Sequence, residues 1–293
     1  MAINKGGASL LLDLKNHVNF HGTLCQLGRQ EINFDKIIFG DLIKKFKLNL
    51  EIDLNDNNLK FDDRLFFNSI GFDKVVAADV SSYENAEYVF NLNNEVDSSL
   101  KDKFDFIYDG GTLEHVFNFP MALKNILKIL KKNGYIMHFS PANNLVDHGF
   151  YMFSPTAYYD FYSNNNFKII KACIVEVPKY FQNGKIKVYN YKPGLIDHLS
   201  YGGFGSKILL NWFVIQKNHD LDLKFDFSQT LYKNYWKEIK NKNLTYQKIK
   251  KNIFKEFIKS KKSIYQFLIK ILILKITLKK ILSKKKLKHD VEF

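Results

Sequence analysis

Two histidines, His115 and His148, and the small and acidic residues around the first of them carry most of the chemistry this sequence offers. The run Asp109-Gly110-Gly111-Thr112-Leu113-Glu114-His115 follows Phe104, Phe106, Ile107 and Tyr108, a buried-strand pattern that must stop where the polar residues begin. Histidine changes charge near neutral pH, so either imidazole could take a proton from an oxygen nucleophile. Asp79 ends a second apolar strand, Val75 to Ala78. A carboxylate there can accept hydrogen bonds from both hydroxyls of a ribose, as an acid does in dinucleotide folds; alternatively it caps the next turn. Gly28 closes a third strand, Thr23 to Leu27, and leaves room for a ligand to approach the backbone. Gly110-Gly111 can do the same, or can simply make a tight turn. His138 lies mid-strand, where a satisfied sheet-face histidine is the ordinary outcome. There is no Walker-type loop, zinc-ligand spacing, GxSxG elbow or acid cluster, and no metal is expected.

Strands and helices must hold these groups. Apolar residues at helical spacing mark Ala8 to Val18, Asp35 to Lys47, Phe61 to Ile70 and Phe119 to Lys131; Ser154, as N-cap, opens a helix to Ser163. Strand patterns fall at Thr23–Leu27, Val75–Ala78, Glu87–Leu92, Phe104–Tyr108, Tyr135–Phe139, Phe167–Val177 and Ile208–Gln216. The alternation predicts an α/β domain over residues 1–217: a mainly parallel seven-stranded sheet with helices on both faces and one antiparallel strand near an edge. Ligands of such sheets sit outside the carboxyl ends of the strands, where the polar turns fall. The aromatic segment 180–206 is either a substrate lid or a packing loop. Residues 218–229 read as a linker.

The 293 residues suffice for one large core, and 46% of them are hydrophobic, so global disorder is excluded. Cys25 and Cys173 form neither a metal spacing nor a disulfide framework, which suits a reducing, cytoplasmic setting. The start, MAINKGGASLLLDL, has one lysine and an apolar run broken by Asp13, a poor signal peptide. The net charge of +14 is concentrated: residues 230–293 hold 19 Lys against four acids, a net +15, and the remainder sums to −1. A near-neutral body disfavours nucleic acid as a partner.

The order of elements and four local motifs resemble the class I S-adenosylmethionine-dependent methyltransferases. Cys25-Gln26-Leu27-Gly28-Arg29-Gln30 stands at the first glycine motif, Asp79 in VVAADVS at the acid ending the second strand, Phe104–Val116 at the strand-four motif, and Leu130-Lys-Lys-Asn-Gly134 at the turn before strand five. His148–Pro155, HGFYMFSP, is similar to a segment found in a subset of the family. The resemblance covers about residues 20 to 217. It implies a Rossmann-like fold, S-adenosylmethionine as cofactor, and cofactor-binding roles for Gln26, Gly28, Gln30, Asp79, Val80, Asn91, Leu92, Asp109, Gly110, Gly111, Thr112 and Leu113. It implies His115 and His148 as catalytic candidates, and Glu114, Asn143, Asn144 and Tyr151 as substrate-binding candidates. Two positions depart from the pattern: Gln26 replaces an acid and Gln30 replaces a glycine. The implied function is methyl transfer to a small-molecule or glycan acceptor at oxygen, with surface-polysaccharide synthesis as one setting. The alternative is a catalytically silent binding or assembly module attached to a membrane surface.

The basic tail reads as an amphipathic helix. Its apolar core, Ile264 to Leu282, is long enough to span a bilayer, but Lys270 and Lys275 lie near its middle. Each would cost about 2.5–3.5 kcal/mol there, so an interfacial helix on an anionic membrane is expected instead. Self-association through the same face, making a homo-oligomer, is the competing expectation.

Overall fold

The computed structural model describes residues 2–48, 54, 56, 60–178, 185–200, 202–241, 271, 273–275 and 291–292. In chain order the elements are β1 (Ala2–Ile3), α1 (Lys5–Leu14), β2 (Thr23–Leu27), β3 (Glu31–Ile32), α2 (Lys36–Phe46), α3 (Asp63–Ser69), β4 (Lys74–Asp79), β5 (Tyr88–Val89), β6 (Phe104–Asp109), α4 (Phe119–Ile129), β7 (Leu130–Asn143), α5 (Pro155–Asn164), β8 (Lys168–Val177), β9 (Lys187–Asn190), β10 (Ile208–Gln216), α6 (Thr230–Asn241) and β11 (Val291–Glu292).

The chain falls into two compact units. One comprises 1–192, 206–227 and 289–293; the other comprises 193–205 and 228–288. The first holds the main sheet, of order β11-β9-β8-β10-β7-β6-β2-β4-β5. Its centre, β7-β6-β2-β4-β5, is parallel, and β10 is inserted antiparallel to β7 and β8. All seven expected strands are present. β9 and β11 extend the β8 edge, and the two-residue β1 and β3 pair apart from the main sheet.

Central strands buried on both faces need unbroken apolar runs. β2 is buried throughout: Leu24, Cys25 and Leu27 are apolar, and the one polar member, Gln26, has its amide hydrogen-bonded. One face of the sheet packs on α1, α2 and α3 through Leu24, Val75, Phe106, Met137, Val175 and Trp212. On the other, Tyr158 of α5 stacks on His138 and meets Phe213 of β10, with ring centroids 4.6 and 5.5 Å away. Helices therefore cover both faces, as expected.

Local chemistry moves some boundaries. α1 starts three residues before the apolar pattern because the Asn4 side chain caps it, accepting from Gly7 N at 2.9 Å. α2 is framed by Asp35 as N-cap and Lys47 in the left-handed region. Ser154 stands at the N-cap position of α5 but makes no side-chain cap hydrogen bond. β7 runs far beyond Tyr135–Phe139 at both ends because β6 and β10 pair along it.

In the second unit, α6 opens the lysine-rich tail. Apart from helical Ile271, Ile273, Leu274 and Lys275, the expected interfacial helix Ile264–Leu282 lies outside the described residues, as do 180–184 and 201 of the expected lid. No helix among the described residues is long and apolar enough to cross a membrane.

Candidate active site

The chain runs from β2 outward to β4 and β5 on one side, and returns through β6 and β7 on the other. That reversal is the topological switch point where open α/β sheets bind ligands. A pocket of about 440 Å³ lies there, at the carboxyl ends of the strands.

Its floor is built by glycine and by short hydrogen-bonded turns. Gly28 has φ of +69°, and a Cβ on it would stand 3.3 Å from Thr112 Oγ1 and 3.7 Å from Asp79 Oδ2. The ends of β2, β4 and β6 therefore converge on one point. Gly28 N donates to Ala78 O at 2.8 Å, and the Thr112 hydroxyl donates to Leu27 O. Gly110 is demanded by packing: a Cβ would fall 2.5 Å from Tyr108 Cε1 and 2.7 Å from Gln30 Oε1.

Asp109 holds the strand-four turn from below. Its Oδ1 accepts from Thr112 N and Leu113 N at 3.0 and 3.4 Å, and its Oδ2 meets His138 Nδ1 at 2.7 Å. His138 Nε2 lies 2.6 Å from the Tyr162 hydroxyl. Asp109 and His138 are both fully buried, so this chain of bonds is a support under the site. Burial, then the Asp109 charge, pushes the Tyr162 phenol well above its usual range.

The sequence candidates separate into those that line the pocket and those that do not. Gly28, Gln30, Asp79, Val80, Asn91, Leu92, Gly111, Thr112, His115 and His148 line it. Asp79 does two jobs: Oδ1 accepts from Ser81 N at 3.2 Å, and Oδ2 points to the Gly28 side. Gly110 lines a neighbouring cavity instead. Asp109, Leu113 and Glu114 are buried beneath the loop. Gln26 is buried too, and its amide is consumed: Nε2 donates to Asp63 at 2.6 Å and Oε1 accepts from Gln30 N at 3.2 Å. Asn143, Asn144 and Tyr151 are not among the pocket's lining residues. Asn144 donates to Lys207 O and the Tyr151 hydroxyl to Phe117 O, each at 2.7 Å, so their polar groups are committed elsewhere.

Arg29, Ala78, Glu84, Phe90, Asn93 and Val116 complete the lining. Arg29 had a signal, being one of two arginines in the chain and next to the motif glycine. The others are neighbours of motif residues with no chemical mark of their own.

At the mouth, His115 and His148 meet edge to face with centroids 5.1 Å apart. Glu114 Oε1 lies 3.7 Å from His148 Nε2, beyond a hydrogen bond. Glu114 is fully buried, and neither carboxyl oxygen has a hydrogen-bond partner among the described residues. Burial, reinforced by the Asp109 charge, pushes its ionisation up to about 8. Burial and the adjacent His148 hold His115 below the usual histidine value, so at neutral pH its imidazole is uncharged and can accept a proton.

Residues 59–188 match the family model of a methyltransferase domain. Over that segment the chain is similar to a methyltransferase domain. The matched segment holds Asp79, the strand-four turn and both mouth histidines; β2 and Gly28 precede it. No curated protein matches the chain. Among solved structures, it is similar to the 1,6-didemethyltoxoflavin-N1-methyltransferase of Burkholderia thailandensis, a complex with 1,6-didemethyltoxoflavin and S-adenosylhomocysteine. That pair shares 13% identity over 73% of this chain and 78% of the other, with a TM-score of 0.39. TehB from Haemophilus influenzae shares 13% over 71% and 61%, with a TM-score of 0.37. A SAM-dependent methyltransferase from Archaeoglobus fulgidus shares 11% over 72% and 94%, with a TM-score of 0.35.

The fold also gathers groups that sequence spacing kept apart. Glu114, His115 and His148 place three potential metal-donor atoms within 4.8 Å of one another, where the spacing gave no metal site. If the three serve proton transfer, activity survives a chelator to within about twofold; loss with EDTA and recovery with zinc or manganese would reassign them.

Proposed function

We propose that this methyltransferase moves the methyl group of S-adenosylmethionine to a hydroxyl oxygen of a small molecule, with His148 as general base. The observation that carries this reading is that His148 borders both the switch-point pocket and the adjoining cavity. The cofactor supplies a sulfonium-activated methyl, so carbon–oxygen bond formation and carbon–sulfur cleavage need alignment more than acid–base help. Asp79 Oδ2 is placed to accept from ribose hydroxyls, and the wall of Phe90, Asn91 and Leu92 suits a nucleobase. The open backbone at Gly28 and Gly111 takes the rest of the molecule. His148 removes the proton from the acceptor hydroxyl as the oxygen attacks. Glu114 lies 3.7 Å behind it.

The departures that suggest a silent binding module do not close this site. Gln26 turns inward to Asp63, and Gln30 donates to Gly28 O at 3.1 Å, shaping the loop while about 440 Å³ stays open beside it.

Calorimetric titration with S-adenosylmethionine and S-adenosylhomocysteine tests the reading. Micromolar binding is expected, and Asp79→Ala weakens it by at least about tenfold, the equivalent of one lost polar anchor. Unchanged affinity in the variant would remove Asp79 from the site. Absence of binding to the parent chain up to millimolar concentration would end the methyl-transfer proposal.

A further inference from the structure

A second cavity, of about 200 Å³, adjoins the first through His148. Gly110 borders this cavity and Gly111 the other, so the strand-four turn forms part of both walls. The roof comes from the start of the chain, where Ala2, Ile3, Asn4 and Gly7 contribute. Phe139, Leu145, Leu210 and the ring of Tyr108 make the walls, and Asn4, Asn33, His148 and Tyr108 carry the polar side-chain groups. Asn4 already spends its carbonyl on the α1 cap. Among the described residues, no Lys, Arg, Asp or Glu lines this cavity.

That lining selects by what it leaves uncompensated. A carboxylate or phosphate would lose its hydration with no counter-charge to meet it. A sugar would bury several hydroxyls against apolar walls, and each would lack a partner. A compact ring loses little and gains apolar contact. Its volume is below the roughly 300–1,000 Å³ of pockets for larger ligands, which points to a single ring.

Resting on the methyl-transfer reading above, we propose that this cavity receives the methyl acceptor and that the acceptor is a small uncharged hydroxylated ring, a simple phenol being the plainest example. Its hydroxyl faces His148, the side chain shared with the cofactor pocket, and its ring lies among Ile3, Phe139, Leu145 and Leu210.

The experiment is ligand-observed NMR on the full chain with saturating S-adenosylhomocysteine, comparing p-cresol, 4-hydroxybenzoate and methyl glucoside. p-Cresol is expected to bind at least about tenfold more tightly than the other two. Two variants check the location. Gly7→Leu pushes a side chain into the cavity, and the space at its Cβ is ordinary, with Asn4 and Ile3 atoms 3.7 and 3.8 Å away. Leu145→Trp narrows the cavity from a half-buried loop position. Each is expected to abolish p-cresol binding and to leave S-adenosylhomocysteine affinity unchanged. Equal or tighter binding of the carboxylate or the glucoside overturns the proposal, as does p-cresol binding that neither variant alters; in both cases cofactor binding still stands. Failure of S-adenosylhomocysteine to bind overturns the methyl-transfer reading itself, and this proposal with it.

Discussion

His148→Ala lowers kcat by about 10²–10³-fold and leaves S-adenosylhomocysteine affinity within about twofold. The first expectation follows from position: His148 is the titratable side chain that both cavities share among their described lining. The second follows from exposure. His148 is 39% exposed at the rim, whereas the cofactor pocket is floored by Gly28, Asp79 and the strand-four turn. A general base can be replaced by bulk hydroxide, so the deficit shrinks as pH approaches the acceptor's own ionisation. His115→Ala is the control. Its ring touches His148 but not the second cavity, and it costs about tenfold or less. Steady-state assays of S-adenosylhomocysteine release across pH check all three statements. A kcat loss that is equal at every pH would assign His148 to acceptor positioning and not to proton removal.

Glu114→Gln makes the protein's stability less dependent on pH. Glu114 ionises at about 8 in the folded chain, because burial and the Asp109 charge disfavour its anion; the ordinary value is 4.5. A raised folded-state value means that the stabilising contribution is complete below the unfolded value and is lost as pH rises through the folded one. Wild type therefore gives up stability across pH 4.5 to 8 at this residue. Glutamine has the same shape and no charge to bury. The variant is expected to gain on wild type across that window, by on the order of 3–5 kcal/mol at the alkaline end. Urea melts of both proteins at pH 5, 7 and 9 measure it, since contributions from groups that do not interact with Glu114 cancel in the difference. Parallel stability curves would mean that the buried carboxyl has found a cation or a donor.

The frame of this fold is written in local pattern. Both-face burial makes β2 and β6 mostly apolar, and a parallel sheet forces polar turns at their carboxyl ends, so Gly28, Asp79 and Gly111 could be placed without coordinates. What pattern does not carry is the direction in which a polar side chain is used. Gln26 occupies a motif position yet turns into the core, because Asp63 on α3 waits there for a donor. Asn144 lies after the right strand, but its amide is spent on Lys207 O. The approach of Glu114 to His148 spans 34 positions of chain and depends on Tyr151 N pairing with Glu114 O, a loop contact with no periodicity to announce it. β9 hid in an aromatic, glycine-bearing segment because a four-residue strand is too short to show much apolar alternation. The second cavity was invisible for a related reason: residues 2–7 roof a space whose walls come from β6, β7 and β10.

Arg29 ties the glycine loop to its neighbours. Its guanidinium bonds to Asp63 at 2.8 Å, to Glu87 at 2.9 Å, and to the carbonyls of Glu84 and Asn85 at 2.9 and 3.0 Å. The turn after β2 and the segment after β4 are thereby clamped by one cation before any ligand arrives. Their ordering entropy is spent during folding, so capture of a nucleoside on this rim does not have to freeze two mobile loops. The association step is then governed by diffusion into an already shaped cleft, and differences in affinity among nucleoside analogues show up in how long they stay.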